Sequence, residues 1–101
     1  MLLIESINIH THKRREFGMP KLALVTGGTR GIGAAIATTL QKEGYTVVVN
    51  YNSAVDVAKN FEKETGIPSF QWDVGNYDAC KTGVNHIVQK YGSIDILVNN
   101  A

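Results

Sequence analysis

From Lys21 onward, short apolar runs alternate with longer amphipathic stretches. Lys21-Leu22-Ala23-Leu24-Val25-Thr26 is a continuous apolar run stopped by Gly27-Gly28. That pattern suits a strand buried on both faces. Ile32, Ala35, Ile36, Thr39 and Leu40 follow at helical spacing and predict a helix, ended by Gly44. Tyr45-Thr46-Val47-Val48-Val49 is short and β-branched, a second strand. Ser53 with Asp56 three residues on resembles a capping box. It predicts a helix with Val57, Ala58 and Phe61 on its apolar face and Gly66 at its end. Phe70 to Val74 reads as a third strand. Asn76 caps a helix running to about Tyr91, with Ala79, Cys80, Val84, Ile87 and Val88 inward. Ile94 to Asn99 is the fourth strand.

Strands alternating with helices imply parallel crossovers, so the fold class is α/β with a doubly wound parallel sheet. The expected strand order is 3-2-1-4, the first part of a Rossmann-type dinucleotide-binding fold, ending after its fourth strand. The chain has 101 residues, enough for one domain. Its first eighteen residues read differently. Lys13, Arg14 and Arg15 against Glu5 and Glu16 account for the whole net charge of +1, and residues 19–101 balance. Leu2-Leu3-Ile4 is followed at once by Glu5, too short for the apolar core of a signal peptide. Residues 1–18 are therefore expected to be a disordered N-terminal extension, with a natural chain start at Met19. His10 and His12 beside the basic triplet are read as part of that solvated extension. The near-neutral balance gives no compositional support to nucleic-acid or membrane-surface binding. A single Cys excludes an internal disulfide framework and any multi-Cys metal site. No metal site is expected.

Chemistry concentrates at Thr26-Gly27-Gly28-Thr29-Arg30-Gly31-Ile32-Gly33, between the first strand and first helix. Gly27 permits a tight turn, Gly31 permits backbone approach to a pyrophosphate, and Gly33 permits close packing of helix on strand. The helix N-terminus offers free N–H groups and partial positive charge to phosphates. A glycine string alone is weak evidence; placed between strand and helix in a β-α-β unit it is strong. No Gly-Lys-Ser/Thr follows, which excludes a P-loop.

The T-G-x-x-x-G-x-G spacing resembles that of the short-chain dehydrogenase/reductase family. Two further blocks match in order: Asp73-Val74 closing the third strand, and Asp95-Ile96-Leu97-Val98-Asn99-Asn100-Ala101 in the fourth. The likeness covers residues 20–101, so residues 19–101 are expected to be the N-terminal part of an NADP-binding Rossmann domain. The resemblance implies that Asp73 and Val74 meet the adenine, that Asn99 is structural, and that Asn100 and Ala101 lie against the cofactor ribose. Members that prefer NAD carry an acid at the end of the second strand, but none lies between Glu43 and Asp56. Arg30 supplies positive charge inside the glycine loop, while Asn50 and Ser53 can donate hydrogen bonds. NADPH, with its oxidised form NADP, is the expected cofactor. Gly27, Gly28, Thr29, Arg30, Gly31, Ile32, Gly33, Asn50, Ser53, Asp73, Val74, Asn100 and Ala101 are its expected contacts.

Glu64-Thr65-Gly66-Ile67, Trp72-Asp73-Val74 and Tyr77-Asp78-Ala79-Cys80 add a likeness to the family's acetoacetyl-CoA reductases of polyhydroxybutyrate synthesis. That likeness implies a cytoplasmic homotetramer reducing acetoacetyl-CoA to (R)-3-hydroxybutyryl-CoA. The alternative is reduction of a 3-oxoacyl group on acyl-carrier protein, and either substrate is an acyl thioester. The family's Ser and Tyr-x-x-x-Lys normally follow the N-N-A-G block, so the 101 residues are expected to lack catalytic groups and turnover. Tyr77 and Lys81 have the Tyr-x-x-x-Lys spacing, but their place before the fourth strand predicts helix-surface neighbours. Without a fifth strand, Ile94 to Val98 would be an unpaired apolar edge, so a self-associating fragment is expected.

Overall fold

A computed structural model describes residues 3–6 and 20–101. The elements in chain order are β1 (Leu3–Ser6), β2 (Leu22–Thr26), α1 (Gly31–Lys42), β3 (Thr46–Tyr51), α2 (Val55–Thr65), β4 (Ser69–Gln71), α3 (Tyr77–Tyr91) and β5 (Ile96–Asn99). They form one five-stranded sheet in the order β1-β5-β2-β3-β4. β5, β2, β3 and β4 are mutually parallel. Numbered among themselves these four strands run 3-2-1-4, the expected partial Rossmann-like order. Among the described residues, no helix is long and apolar enough to cross a membrane.

Alternation along the strands divides the core between two faces. Leu22, Leu24 and Val48 pack with Trp72, Ile87, Val88 and Ile94 on the side covered by α3. Val25, Val47, Val49 and Val98 pack with Ala37, Phe61 and Ile67 on the side of α1 and α2. All five residues of β2 are buried, which explains why that strand reads as one unbroken apolar run. Asp95 fixes the start of β5 against β2. Its carboxylate accepts the Leu22 N–H at 2.7 Å, and its own N–H donates to the Leu22 carbonyl at 2.9 Å.

α1 turns Gly33 and Ala37 to the sheet, while Ile36 and Leu40 are half-buried against the core and Ile32 is 70% exposed. The smallest residues face inward because helix and strand approach too closely for larger ones. Ser53 does not cap α2: Ala54 holds the N-cap position without a side-chain cap, and Val57 is exposed. β4 ends at Gln71, because Asp73 accepts the Gly75 N–H at 2.8 Å and turns the chain. Asn76 does cap α3, accepting the Ala79 N–H at 3.0 Å, and Gly66 ends α2 at φ +75°.

The largest departure lies at the sheet edge. Leu3–Ser6 pairs antiparallel with β5, in the register Leu3↔Asn99 to Ser6↔Ile96. An extension without regular structure over 1–18 therefore does not hold at those four positions, and the outer edge of β5 is paired. The physical reason is main-chain hydrogen bonding at an otherwise open edge, which needs no long apolar run. The rest of 1–18, including His10, His12 and the basic triplet, lies outside the described residues, as does the Met19 start.

Candidate cofactor-binding site

The glycine loop is held from two sides by side chains whose hydrogen-bonding groups are turned inward. On one side is Asn50, at the end of β3 and 1% exposed. Its side-chain oxygen accepts the Gly27 N–H at 3.3 Å, and its backbone carbonyl accepts the Gly28 N–H at 3.1 Å. Its side-chain amide donates to the carbonyls of Trp72 at 2.9 Å and Tyr51 at 3.3 Å. This one residue ties the loop to the segment after β4. Asn50, expected as a hydrogen-bond donor to the cofactor, lines the cleft with its amide engaged within the protein, where it positions the loop.

On the other side is Thr26, at the end of β2. Its hydroxyl oxygen accepts the N–H groups of Asn100 at 3.0 Å and Ala101 at 3.2 Å. The hydroxyl proton faces the Val98 carbonyl and the Asn99 side-chain oxygen, each 3.4 Å away. The Asn100 side chain donates to the Gly27 carbonyl at 3.1 Å. Both asparagines of the block therefore have partners at the loop or beneath it; Asn99 and Ala101 are exposed, and Asn100 is half-buried. Sequence reasoning missed Thr26 as the junction. Its place at the end of the most buried strand, just before the glycines, was the available signal.

Each glycine of the loop has a different reason to be one. Gly27 and Gly31 adopt φ of +62° and +59°, the left-handed region that side chains disfavour. A Cβ on Gly28 would overlap the Val49 side chain, and one on Gly33 would overlap the Gly27 carbonyl and the Asn100 amide. A Cβ on Gly31 would meet nothing within 4 Å. The crowding is thus internal at Gly28 and Gly33, while Gly31 stands at open space beside the first turn of α1.

That first turn has no side-chain cap and no acidic residue. Its leading N–H groups lack intrahelical partners, which makes it a ready anion site. Beside it runs a cleft of about 170 Å³. Gly27, Thr29 and Arg30 form one wall, Asn50 to Ala54 a second, and Trp72 with Val74 a third; Ala101 also lines it. The volume is below the roughly 300 Å³ at which whole small-molecule pockets begin, so it suits one end of a dinucleotide. Arg30 and Ser53 are exposed and both line the cleft, and Thr29 is buried. Of the other expected contacts, Asp73 is exposed and caps the following turn, and Ile32 sits with Ala35, Ile36, Thr39 and Leu40 on the outer flank of α1. Tyr51, Asn52, Ala54 and Trp72 line the cleft and were not anticipated. Their signal was adjacency to Asn50, Ser53 and Asp73. No acid lies on the wall formed by residues 50–54.

The model of the short chain dehydrogenase family matches residues 21–101. The chain belongs to the short-chain dehydrogenase family. It is 52% identical over 83 residues to an acetoacetyl-CoA reductase of Paracoccus denitrificans, covering 82% of this chain and 34% of the relative. It is 46% identical over 88 residues to a 3-oxoacyl-[acyl-carrier-protein] reductase of Staphylococcus epidermidis, covering 82% and 36% respectively. Among solved structures it is similar to an actinorhodin polyketide ketoreductase with NADPH, at TM-score 0.74 and 37% identity, covering 81% of this chain and 33% of that one. The chain spans about a third of the length of the curated relatives it matches.

Tyr77 and Lys81 stand at the start of α3 and line no part of the cleft; Tyr77 is 78% exposed. Cys80 is half-buried with its sulfur 3.4 Å from the Val74 carbonyl oxygen, and His86 is exposed with its ring edge-on to Phe70. Among the described residues, no group of three or more His, Cys, Asp and Glu is placed to hold a metal ion.

Proposed function

We propose that this chain is the nucleotide-binding part of an NADPH-dependent reductase acting on a 3-oxoacyl thioester, of the acetoacetyl-CoA reductase kind. One arrangement carries the reading: the uncapped first turn of α1, with Arg30 beside it in a cleft whose lining includes no acid. An acid there would repel a 2′-phosphate; Arg30 attracts one. Backbone N–H groups from Gly31 to Gly33 would hold the pyrophosphate, and Arg30 and Ser53 the 2′-phosphate. Asp73 and Val74 would flank the adenine, and Ala101 the ribose. When bound, NADPH supplies the hydride for reduction of a carbonyl. Asn50, Thr26 and Asn100 hold the loop in shape before the cofactor arrives.

The CoA ester is favoured over the acyl-carrier-protein ester by the higher identity to the acetoacetyl-CoA reductase. Production of (R)-3-hydroxybutyryl-CoA by a cytoplasmic homotetramer belongs to the same reading. A second reading, nucleotide binding without turnover, is favoured by the position of Tyr77 and Lys81 away from the cleft. Turnover of acetoacetyl-CoA with NADPH by this chain would contradict the second reading.

The cofactor assignment is tested with Arg30→Ala, titrated with NADPH and NADH by nucleotide fluorescence. The variant should bind NADPH about tenfold more weakly, a loss of ~1.4 kcal/mol, at the low end for a hydrogen bond to a charged group. Its affinity for NADH should hardly change. Equal losses for both nucleotides would contradict a 2′-phosphate contact at Arg30.

A further inference from the structure

The cleft wall formed by residues 50–54 leaves the sheet at Tyr51, where β3 ends. What fixes it there comes from the end of β4. The Trp72 N–H donates to the Tyr51 carbonyl at 3.0 Å, and the Trp72 carbonyl accepts the Asn50 amide at 2.9 Å. One step further along the wall, the Gln71 side-chain amide donates to the Asn52 carbonyl at 2.8 Å. Among the described residues, this is the last hydrogen bond that another element makes to the wall before α2 begins. Ala54, the N-cap of α2, supplies no side-chain cap. Gln71 does not line the cleft; it belongs to a separate groove between β4 and α3.

The direction of that bond has a consequence inside the cleft. The Asn52–Ser53 peptide is trans, so its carbonyl and its N–H point opposite ways. With the carbonyl drawn to Gln71, the Ser53 N–H is turned away from Gln71. Ser53 lines the cleft. Its own carbonyl accepts the Val55 N–H at 2.9 Å. Among the described residues, neither the Ser53 N–H nor its hydroxyl has a hydrogen-bond partner. The carbonyls on both sides of this N–H are thus engaged, and two donors of one exposed residue stay open. Open donors beside a cation suit a phosphate. A turn of the same peptide would replace the N–H with a carbonyl oxygen, which repels one.

We propose that Gln71 is a positioning residue for the nucleotide. It holds the Asn52–Ser53 peptide so that the Ser53 N–H is presented to the 2′-phosphate of NADPH. It thereby sets the preference for NADPH over NADH from outside the cleft. The proposal rests on the cofactor assignment above and adds to it a side chain that touches no cofactor. NADH carries a hydroxyl where NADPH carries the phosphate, so losing this orientation penalises NADPH alone.

The test uses Gln71→Met in the full chain, which keeps the length of the side chain and removes its donor. Gln71 is exposed, so the substitution leaves the core intact. By nucleotide fluorescence, the dissociation constant for NADPH should rise about three- to tenfold, the effect of one lost hydrogen bond. That for NADH should hardly change. In the nucleotide-free chain, NMR should show the Asn52 carbonyl carbon and the Ser53 amide moving, with Gly27 and Gly28 unmoved. A purely structural role would weaken both nucleotides equally and lower the melting temperature. That result, unmoved Asn52 and Ser53 resonances, or an unchanged affinity for NADPH would overturn the proposal. If Arg30→Ala loses the preference for NADPH and Gln71→Met keeps it, this proposal falls and the cofactor assignment stands. A parent chain that binds both nucleotides equally would remove both.

Discussion

Gly31 and Gly33 are two residues apart in the same loop, and their substitution should have different main consequences. A methyl group on Gly33 has no room between the Gly27 carbonyl and the Asn100 amide. Gly33→Ala should lower stability by about 1–3 kcal/mol, the usual range for overpacking, read as a fall in melting temperature. Gly31→Ala meets open space but keeps a left-handed backbone, a penalty of about 1–2 kcal/mol. Its larger effect should fall on nucleotide affinity, because the methyl group stands where a phosphate would approach. Asn50→Ala leaves the Gly27 N–H and the Trp72 carbonyl without their side-chain partner. About 1–3 kcal/mol should be lost per group left unsatisfied, measurable by denaturant unfolding. The importance of these positions was legible in the sequence, but the role of Asn50 was not. Its type and its place at the end of a strand suit either a ligand donor or an internal clamp. Only burial and the tertiary partners from β2–α1 and β4 decide between them.

Elements were most legible where a local signal coincides with a tertiary need. Asn76 caps α3 and Gly66 ends α2 because the orphan N–H groups at one helix end and the left-handed exit at the other are local problems with local solutions. The face of α1 does not follow from apolar spacing: Ile32, Ile36 and Leu40 recur at helical period, yet close approach to the sheet selects Gly33 and Ala37. Size outweighed hydrophobicity there. The same rule operates on α3, where Gly83 makes room for the Trp72 ring. Gly83→Ala would push a methyl group into that indole, so it should destabilise the α3 side of the sheet. The chain has one Trp, and its emission reads the change directly. A red-shifted native spectrum with a lower melting temperature is expected. An unchanged spectrum would mean that Trp72 does not rest on Gly83.

At the scale of the whole molecule, the four parallel strands and three helices could be read from apolar runs and helical spacing, and their order from the strand–helix alternation of a dinucleotide-binding fold. β1 could not. Its four residues include a Glu and show no apolar alternation, and their partners lie ninety or more positions along the chain. Main-chain pairing at an edge leaves little trace in side-chain pattern. That strand removes the uncovered apolar edge from which self-association was expected. At the opposite end of the sheet, β4 is only three residues long, which blunts the second edge. What remains open is the cleft at the C-terminal ends of β2 and β3, where ligands of doubly wound sheets bind.

The central claim is that this cleft takes the phosphate-bearing end of NADPH. Its most direct test is a titration of the isotopically labelled chain with NADPH and, separately, NADH, following every backbone amide by NMR. The account predicts saturable shifts at Gly27–Gly33, Tyr51–Ser53 and Val74. It also predicts smaller shifts at Arg30 and Ser53 with NADH than with NADPH. Shifts absent from these residues, or clustered instead along α3 around Tyr77 and Lys81, would contradict it.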